Sequence, residues 1–281
     1  MAVLLLEREI DRFFVDHQSQ LLSHHPGLSA HTLKRELLWF YNLQGFNFDR
    51  KNIFDRLLAG EPLAYIVGYR FFYDAFFKVN SNTLIPRPET EIMVAHLLER
   101  FGKVASLSFA DIGTGSGALG LSIAMNLQKC QAHLSDICPK ALNVAKENYF
   151  RLGQHFTHEQ EIQFHLSDRL DFEAGTFDFI VTNPPYIKAL ADRDQVHEQV
   201  LQNEPALALF LPDHEYSQWF TQLFSQVANK LKPSGYFLME GHEAHLDELV
   251  TLMGSLDKFK DIRVIPDLTG RSRFIEGIKN G

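Results

Sequence analysis

The run Asp111-Ile112-Gly113-Thr114-Gly115-Ser116-Gly117-Ala118-Leu119-Gly120 follows an apolar strand pattern and opens a helix pattern. Glycines at such a turn let the backbone bend sharply and approach a ligand, and the helix start behind them leaves N–H groups free. Asp136 stands about 20 residues further on, at the end of the next strand, where a carboxylate accepts hydrogen bonds from both hydroxyls of a ribose. Two cofactors suit this pattern. Gly113-x-Gly115-x-x-Ala118 and Gly115-x-Gly117-x-x-Gly120 both satisfy a dinucleotide fingerprint. An acidic residue followed by Gly-x-Gly-x-Gly, here Asp111, Gly113, Gly115 and Gly117, equally describes a site for S-adenosylmethionine (AdoMet). AdoMet has no pyrophosphate and carries an ammonium and a sulfonium, so a carboxylate at Asp111 suits it electrostatically.

A second turn separates the two. Phe177–Thr182 reads as a buried strand and ends in Asn183-Pro184-Pro185-Tyr186. Ligand groups in open α/β sheets gather at the carboxyl ends of strands. A planar NH2 on an sp2 carbon is a poor nucleophile because its lone pair is delocalised. Two acceptors holding its two hydrogens fix its plane and turn the lone pair toward a methyl donor. The Asn183 side chain offers one acceptor and the Pro184 carbonyl the other. Pro184 and Pro185 stiffen the backbone and donate no competing N–H, and Tyr186 can lie flat against a planar target. A dehydrogenase has no use for such an arrangement, so the dinucleotide reading falls behind.

Other candidates read more plainly. His242-Glu243-Ala244-His245 lacks a spacer residue of the zinc motif His-Glu-x-x-His and reads as a solvated first helical turn. His24-His25, before Pro26, reads as an exposed loop pair. Phe71, Phe72, Phe76 and Phe77 read as packing residues, Arg87 and Glu89 as a hinge ion pair or a contact at the active-site mouth, and Arg271 and Arg273 as surface residues of an edge strand.

The elements around these turns come in two kinds. Residues 1–60 read as three helices: one through Leu6, Ile10, Phe13, Phe14 and Leu21; one capped by Ser29 and stopping near Gly45; one capped by Asp49 with Gly60 past its end. Residues 61–88 read as a hairpin, Tyr65–Tyr73 and Phe76–Val79 about a turn at Asp74-Ala75, then a stiff Pro86-Arg87-Pro88 linker into a helix. Residues 89–281 alternate strands (107–112, 131–135, 162–166, 177–182, 234–240) with helices (117–128, 139–151, 216–231, 243–254), which predicts a parallel sheet covered on both faces. Asp261–Ile265 and Arg273–Ile278 follow without a helix and predict an antiparallel hairpin at one edge.

Of the 281 residues, 45% are hydrophobic and 22% charged, which excludes wholesale disorder. A formal charge of -8 counts against a surface built to grip nucleic acid. Cys130 and Cys138 supply neither a disulfide framework nor a four-thiolate metal site. No long uncharged apolar run and no leader pattern is present, so a cytoplasmic protein without membrane contact is expected.

Over nearly all its length, the chain resembles the glutamine N5-methyltransferases that modify the Gly-Gly-Gln motif of peptide-chain release factors. Pro62–Gly68, Leu84–Glu91, Asp111–Gly117, Asn183–Ile187 and Asp267–Arg273 carry the resemblance, and Pro86-Arg87-Pro88-Glu89-Thr90-Glu91 is its most particular part. The resemblance implies an α/β fold with a Rossmann-like AdoMet methyltransferase sheet beside a small N-terminal helical domain that engages the release factor. It implies that Asp111, Gly113, Thr114, Gly115, Ser116, Gly117 and Asp136 hold AdoMet. Asp168 and Arg169 would lie beside the adenine, although the family commonly has a bulky apolar residue where Arg169 stands. Asn183 would touch both cofactor and glutamine, with Pro184, Pro185 and Tyr186 completing the glutamine site, and no metal takes part. Met239-Glu240-Gly241 is offset by one position from the family's Glu-Ile-Gly, so Glu240 receives no role. The alternatives are a glutamine methyltransferase of a ribosomal protein and an adenine N6-methyltransferase, both of which share the target chemistry. A non-catalytic cofactor-binding protein would not need the complete Asn-Pro-Pro-Tyr turn.

Overall fold

The computed structural model describes residues 2–44 and 49–281. The helical part contains α1 (Ala2–Asp16), α2 (Gln18–His24), α3 (Ala30–Gln44), α4 (Arg50–Leu58) and α5 (Leu63–Val67). The first expected helix is two helices, broken at His17. The Ser29 hydroxyl accepts the Thr32 N–H at 3.1 Å, and the Asp49 carboxylate that of Asn52 at 3.1 Å, as capping residues do. The expected stop at Gly45 lies outside the described residues. Leu6, Ile10, Leu21, Leu33, Leu37 and Leu57 close a core of their own.

The hairpin is shorter than the sequence predicts. Tyr65-Ile66-Val67 belongs to α5, which starts after Pro62 and ends at Gly68 with φ +76. Leu63, Ala64, Ile66 and Val67 are all buried there, so helical packing overrides the strand preference of the β-branched pair. The strands are β1 (Tyr69–Phe72) and β2 (Ala75–Lys78), and the turn falls at Tyr73-Asp74, one residue earlier than expected. Phe72 and Phe77 are buried, and Phe76 stacks on Trp39 of α3 at 3.8 Å between ring centres. The linker then enters α6 (Glu91–Phe101).

The remainder runs β3 (Leu107–Ile112), α7 (Ala118–Asn126), β4 (Cys130–Asp136), α8 (Pro139–Arg151), β5 (Gln160–Leu166), β6 (Phe177–Thr182), β7 (Ile187–Lys188), α9 (Glu198–Asn203), α10 (Ala206–Leu209), β8 (Phe210–Leu211), α11 (Tyr216–Lys230), β9 (Leu231–Glu240), α12 (Leu246–Ser255), β10 (Phe259–Pro266) and β11 (Ser272–Lys279). The main sheet has the order β10-β11-β9-β6-β3-β4-β5. The five strands from β9 to β5 are parallel, and β10 and β11 form the expected antiparallel edge hairpin. Apolar layers cover both faces: Met93, Leu97, Leu121 and Ile123 on one, Phe220, Phe224, Val227 and Leu249 on the other. No helix among the described residues is long and apolar enough to cross a membrane.

Register places the chemistry. Ser135, Ile112, Thr182 and Met239 lie in one row across β4, β3, β6 and β9. The next residue of each strand is therefore Asp136, Gly113, Asn183 or Glu240, side by side at the carboxyl edge. The strand order reverses between β3 and β6, and there a crevice opens. The Thr182 hydroxyl donates to the Ile112 carbonyl at 2.8 Å and ties the two strands together at that point.

Candidate active site

The glycine turn is built around a buried carboxylate. Asp111 Oδ2 accepts the Thr114 hydroxyl at 2.7 Å and the Gly120 N–H at 3.0 Å. Gly113, Gly115 and Gly117 take φ of +68, +58 and +82, a region that other residues enter at a cost of about 1–2 kcal/mol. A Cβ on Gly120 would stand 2.7 Å from Asp111 Oδ2, so only glycine fits. Asp136 accepts the Gly115 N–H at 2.9 Å and the Cys138 N–H at 2.8 Å, which fixes its carboxylate at the edge of the turn. Burial pushes Asp111 up to about 7 and raises Asp136 as well. Two desolvated carboxylates at one turn make a site that favours a cation.

A cavity of about 420 Å³ opens over this turn. Asp111, Gly113, Thr114, Gly115, Ser116 and Asp136 line it, as do Asp168, Arg169, Asn183, Pro184 and Pro185. Gly117 lies off the wall and is the N-cap residue before α7. Asn148 of α8, fully buried, donates to the Ser116 and Lys78 carbonyls at 2.8 and 2.9 Å and accepts the Lys78 N–H at 2.6 Å. It joins the glycine turn to β2.

At the neighbouring strand end, Asn183 Nδ2 donates to Thr90 Oγ1 and to Glu240 Oε2, both at 3.1 Å. Among the described residues nothing donates to Asn183 Oδ1 or to the Pro184 carbonyl. The Thr90 hydroxyl donates to the same Glu240 oxygen at 2.6 Å, and the Tyr186 hydroxyl donates to the other at 3.0 Å. Burial raises the pKa of both Glu240 and Tyr186. A second cavity of about 240 Å³ lies against this corner and shares Leu84, Arg87, Asn183, Pro184 and Ala208 with the first. Asn183 and Pro184 thus form a partition between two chambers, with acceptor oxygens left over. Among the described residues no cluster of three His, Cys, Asp or Glu could hold a metal.

The chain is 35% identical to the release factor glutamine methyltransferase of Koribacter versatilis (strain Ellin345), over 90% of its own length and 91% of that protein. The chain belongs to the release factor glutamine methyltransferase family. The protein of the same name from Francisella tularensis subsp. tularensis is 38% identical over 78% of this chain and 74% of its own. Residues 88–209 match the methyltransferase small domain family. In fold, the chain is similar to a methyltransferase from Pyrococcus furiosus, with a TM-score of 0.51 at 16% identity over 73% of this chain and 89% of that one.

Three features of this family member depart from the sequence reading, and Arg169 is held in a way the sequence does not signal. Arg169 lines the first cavity, and its guanidinium lies 5.1 Å from the Trp219 ring and donates to Asp168, to Gln222 and to the Trp219 carbonyl at 2.7, 3.2 and 3.3 Å. Its charge is thus held by the protein. His242-Glu243-Ala244-His245 is no solvated helical turn: it precedes α12, both imidazoles are half-buried, His242 lines the second cavity, and His245 Nε2 lies 2.8 Å from Asp192 Oδ2. Arg273 is not a surface residue like Arg271; it lines the second cavity beside Tyr186. His25 is buried, with Nε2 2.8 Å from the Leu57 carbonyl and Nδ1 2.6 Å from Gln199 Nε2 of α9. Gln199 also donates to the Gly60 carbonyl at 2.9 Å, so α9 is tied to the helical part.

The linker keeps its interest. Arg87 donates to Glu204 Oε1 at 2.6 Å and the Ile85 N–H to Glu204 Oε2 at 3.0 Å. Residues missed by sequence reasoning are Thr90, Asn148, Glu204, Glu240, His242 and Arg273. The one available signal was position: Glu240 ends a central strand at the same edge as Gly113 and Asn183.

Proposed function

We propose that the chain transfers a methyl group from AdoMet to the side-chain amide N5 of the glutamine in the Gly-Gly-Gln motif of a peptide-chain release factor. The partition formed by Asn183 and Pro184 carries this reading. The first chamber fits AdoMet: its turn holds two buried carboxylates, and Asp136 sits at the strand end where a ribose is recognised. Bound there, AdoMet supplies a methyl group on a sulfonium, and S-adenosylhomocysteine (AdoHcy) remains after transfer. The second chamber admits the glutamine side chain. Asn183 Oδ1 and the Pro184 carbonyl accept the two amide hydrogens and hold the nitrogen with its lone pair toward the methyl. Tyr186 closes the corner. Once methylated, the amide nitrogen is cationic and acidic enough to lose its proton to water, so no strong base is needed beside it. Asp168 lies at the adenine end, and the helical residues 1–60 dock the release factor as a recognition domain.

The test is a panel of substrates. Purified protein is incubated with labelled AdoMet and, separately, with release factor, large-subunit ribosomal protein and DNA, and the mark is located by mass spectrometry. A single methyl on the Gly-Gly-Gln glutamine is expected. Label on the ribosomal protein or DNA with none on the release factor would contradict the reading.

A further inference from the structure

The Asn183 carboxamide can present either its oxygen or its NH2 to the second chamber, and only the oxygen can accept a substrate hydrogen. Backbone geometry does not choose between the two; the groups behind the side chain do. Behind it stands Glu240, 1% exposed, at the end of β9. Its two oxygens receive three donors: Thr90 Oγ1 at 2.6 Å, Asn183 Nδ2 at 3.1 Å and Tyr186 Oη at 3.0 Å. Glu240 Oε2 already accepts the Thr90 hydroxyl and presents only lone pairs to Asn183. Turning the Asn183 oxygen toward it would set two acceptors against each other and leave the NH2 facing the chamber. Thr90 does not oppose this choice, because its hydroxyl hydrogen is directed to Glu240 and its lone pairs face Asn183 Nδ2 at 3.1 Å. Glu240 lines neither of the two chambers.

We propose that Glu240 is a positioning residue that sets the rotamer of the Asn183 amide and the hydroxyl direction of Tyr186, so that only acceptors face the target NH2. This role rests on the glutamine-amide reading above. It accounts for a buried carboxylate that makes no ion pair within 4 Å among the described residues and carries three side-chain donors instead. It also makes the corner selective: a target offering an acceptor in place of NH2 meets two further acceptors and is rejected.

Two sets of variants test it. Glu240→Leu removes the acceptors while keeping the volume, and turnover is expected to drop about thirtyfold or more, with the AdoMet dissociation constant changed by less than about threefold. Glu240→Gln keeps one acceptor oxygen and is expected to restore most of that loss. The second set needs no stable Glu240→Leu protein. Asn183→Asp faces two carboxylates at each other and is expected to be nearly inactive. Adding Glu240→Gln supplies an NH2 for the new carboxylate and leaves an oxygen toward the chamber, so the double variant is expected to exceed Asn183→Asp by about tenfold or more, a coupling that independent sites do not show. Turnover of Glu240→Leu within twofold of the unaltered protein, or a double variant no better than Asn183→Asp, would overturn the role of Glu240. Neither result touches the glutamine reading, which falls instead if Asn183→Ala keeps its turnover.

Discussion

The two turns that meet at the crevice are held in different ways. The glycine turn is tied by bonds to partners 3, 9, 21 and 32 residues away, through Asp111, Asp136 and Asn148. The Asn-Pro-Pro-Tyr corner is oriented by Thr90, 93 residues before Asn183, and by Glu240, 57 residues after it. A cofactor cradle can therefore be written into one stretch of chain, whereas an acceptor corner needs three segments brought together by the sheet. In the proposed function, binding of the cofactor falls to the first turn and discrimination of the target to the second.

Substitutions that separate the two turns sharpen this contrast. The largest effect is expected for Asn183→Ala, which should lower turnover by about two or more decades while AdoMet affinity drops far less. Near-normal turnover in a methylation assay would dissolve the division of labour. On the other side, Gly120→Ala places a Cβ 2.7 Å from Asp111 Oδ2 and should cost about 1–3 kcal/mol of stability and about tenfold in AdoMet affinity. Gly113→Ala meets open space, so only its left-handed backbone opposes it, at about 1–2 kcal/mol. Calorimetric titration and melting of the two variants should rank them in that order, and the reverse order would break the account of the turn.

A smaller effect is expected at the linker. Glu204→Gln weakens the hold on Arg87 and on the Ile85 N–H, and the KM for release factor should rise about three- to tenfold, as for a lost charged hydrogen bond partly open to water. AdoMet affinity measured in parallel should stay level; a change there and not in KM would place Glu204 with the wrong turn.

The smallest effect is a slope. Burial lifts Asp111 from its ordinary 3.8 to about 7, so the folded chain holds a proton that the unfolded chain releases. Its share of stability is full below about pH 4 and fades as pH rises through about 7. Asp111→Asn is neutral throughout, and its stability relative to the unaltered protein should improve from pH 5 to pH 8 in denaturant titrations. A constant difference between the two would mean that Asp111 is not held protonated by the fold.

Much of the fold was legible because its signals are local. The apolar runs at Leu107–Ile112 and Phe177–Thr182 became strands with the expected ends, and Pro139–Arg151 became the expected helix. The errors arose where packing decides. Ile66 and Val67 read as strand residues until both proved buried in a short helix stopped by Gly68. Arg273 and His242 looked like solvent-facing residues because nothing in their neighbourhood shows that β11 and the turn before α12 close on Tyr186. Glu240 was set aside because Met239-Glu240-Gly241 is offset from the family's Glu-Ile-Gly, and spacing along the chain does not connect it to its partners at positions 90, 183 and 186.

The most direct measurement is a crystal structure with AdoHcy and a Gly-Gly-Gln peptide bound together. The account predicts the glutamine amide nitrogen within about 2.7–3.2 Å of both Asn183 Oδ1 and the Pro184 carbonyl, on the opposite side of the partition from the nucleoside. A glutamine seated elsewhere, or an Asn183 turned with its NH2 toward the peptide, would contradict it.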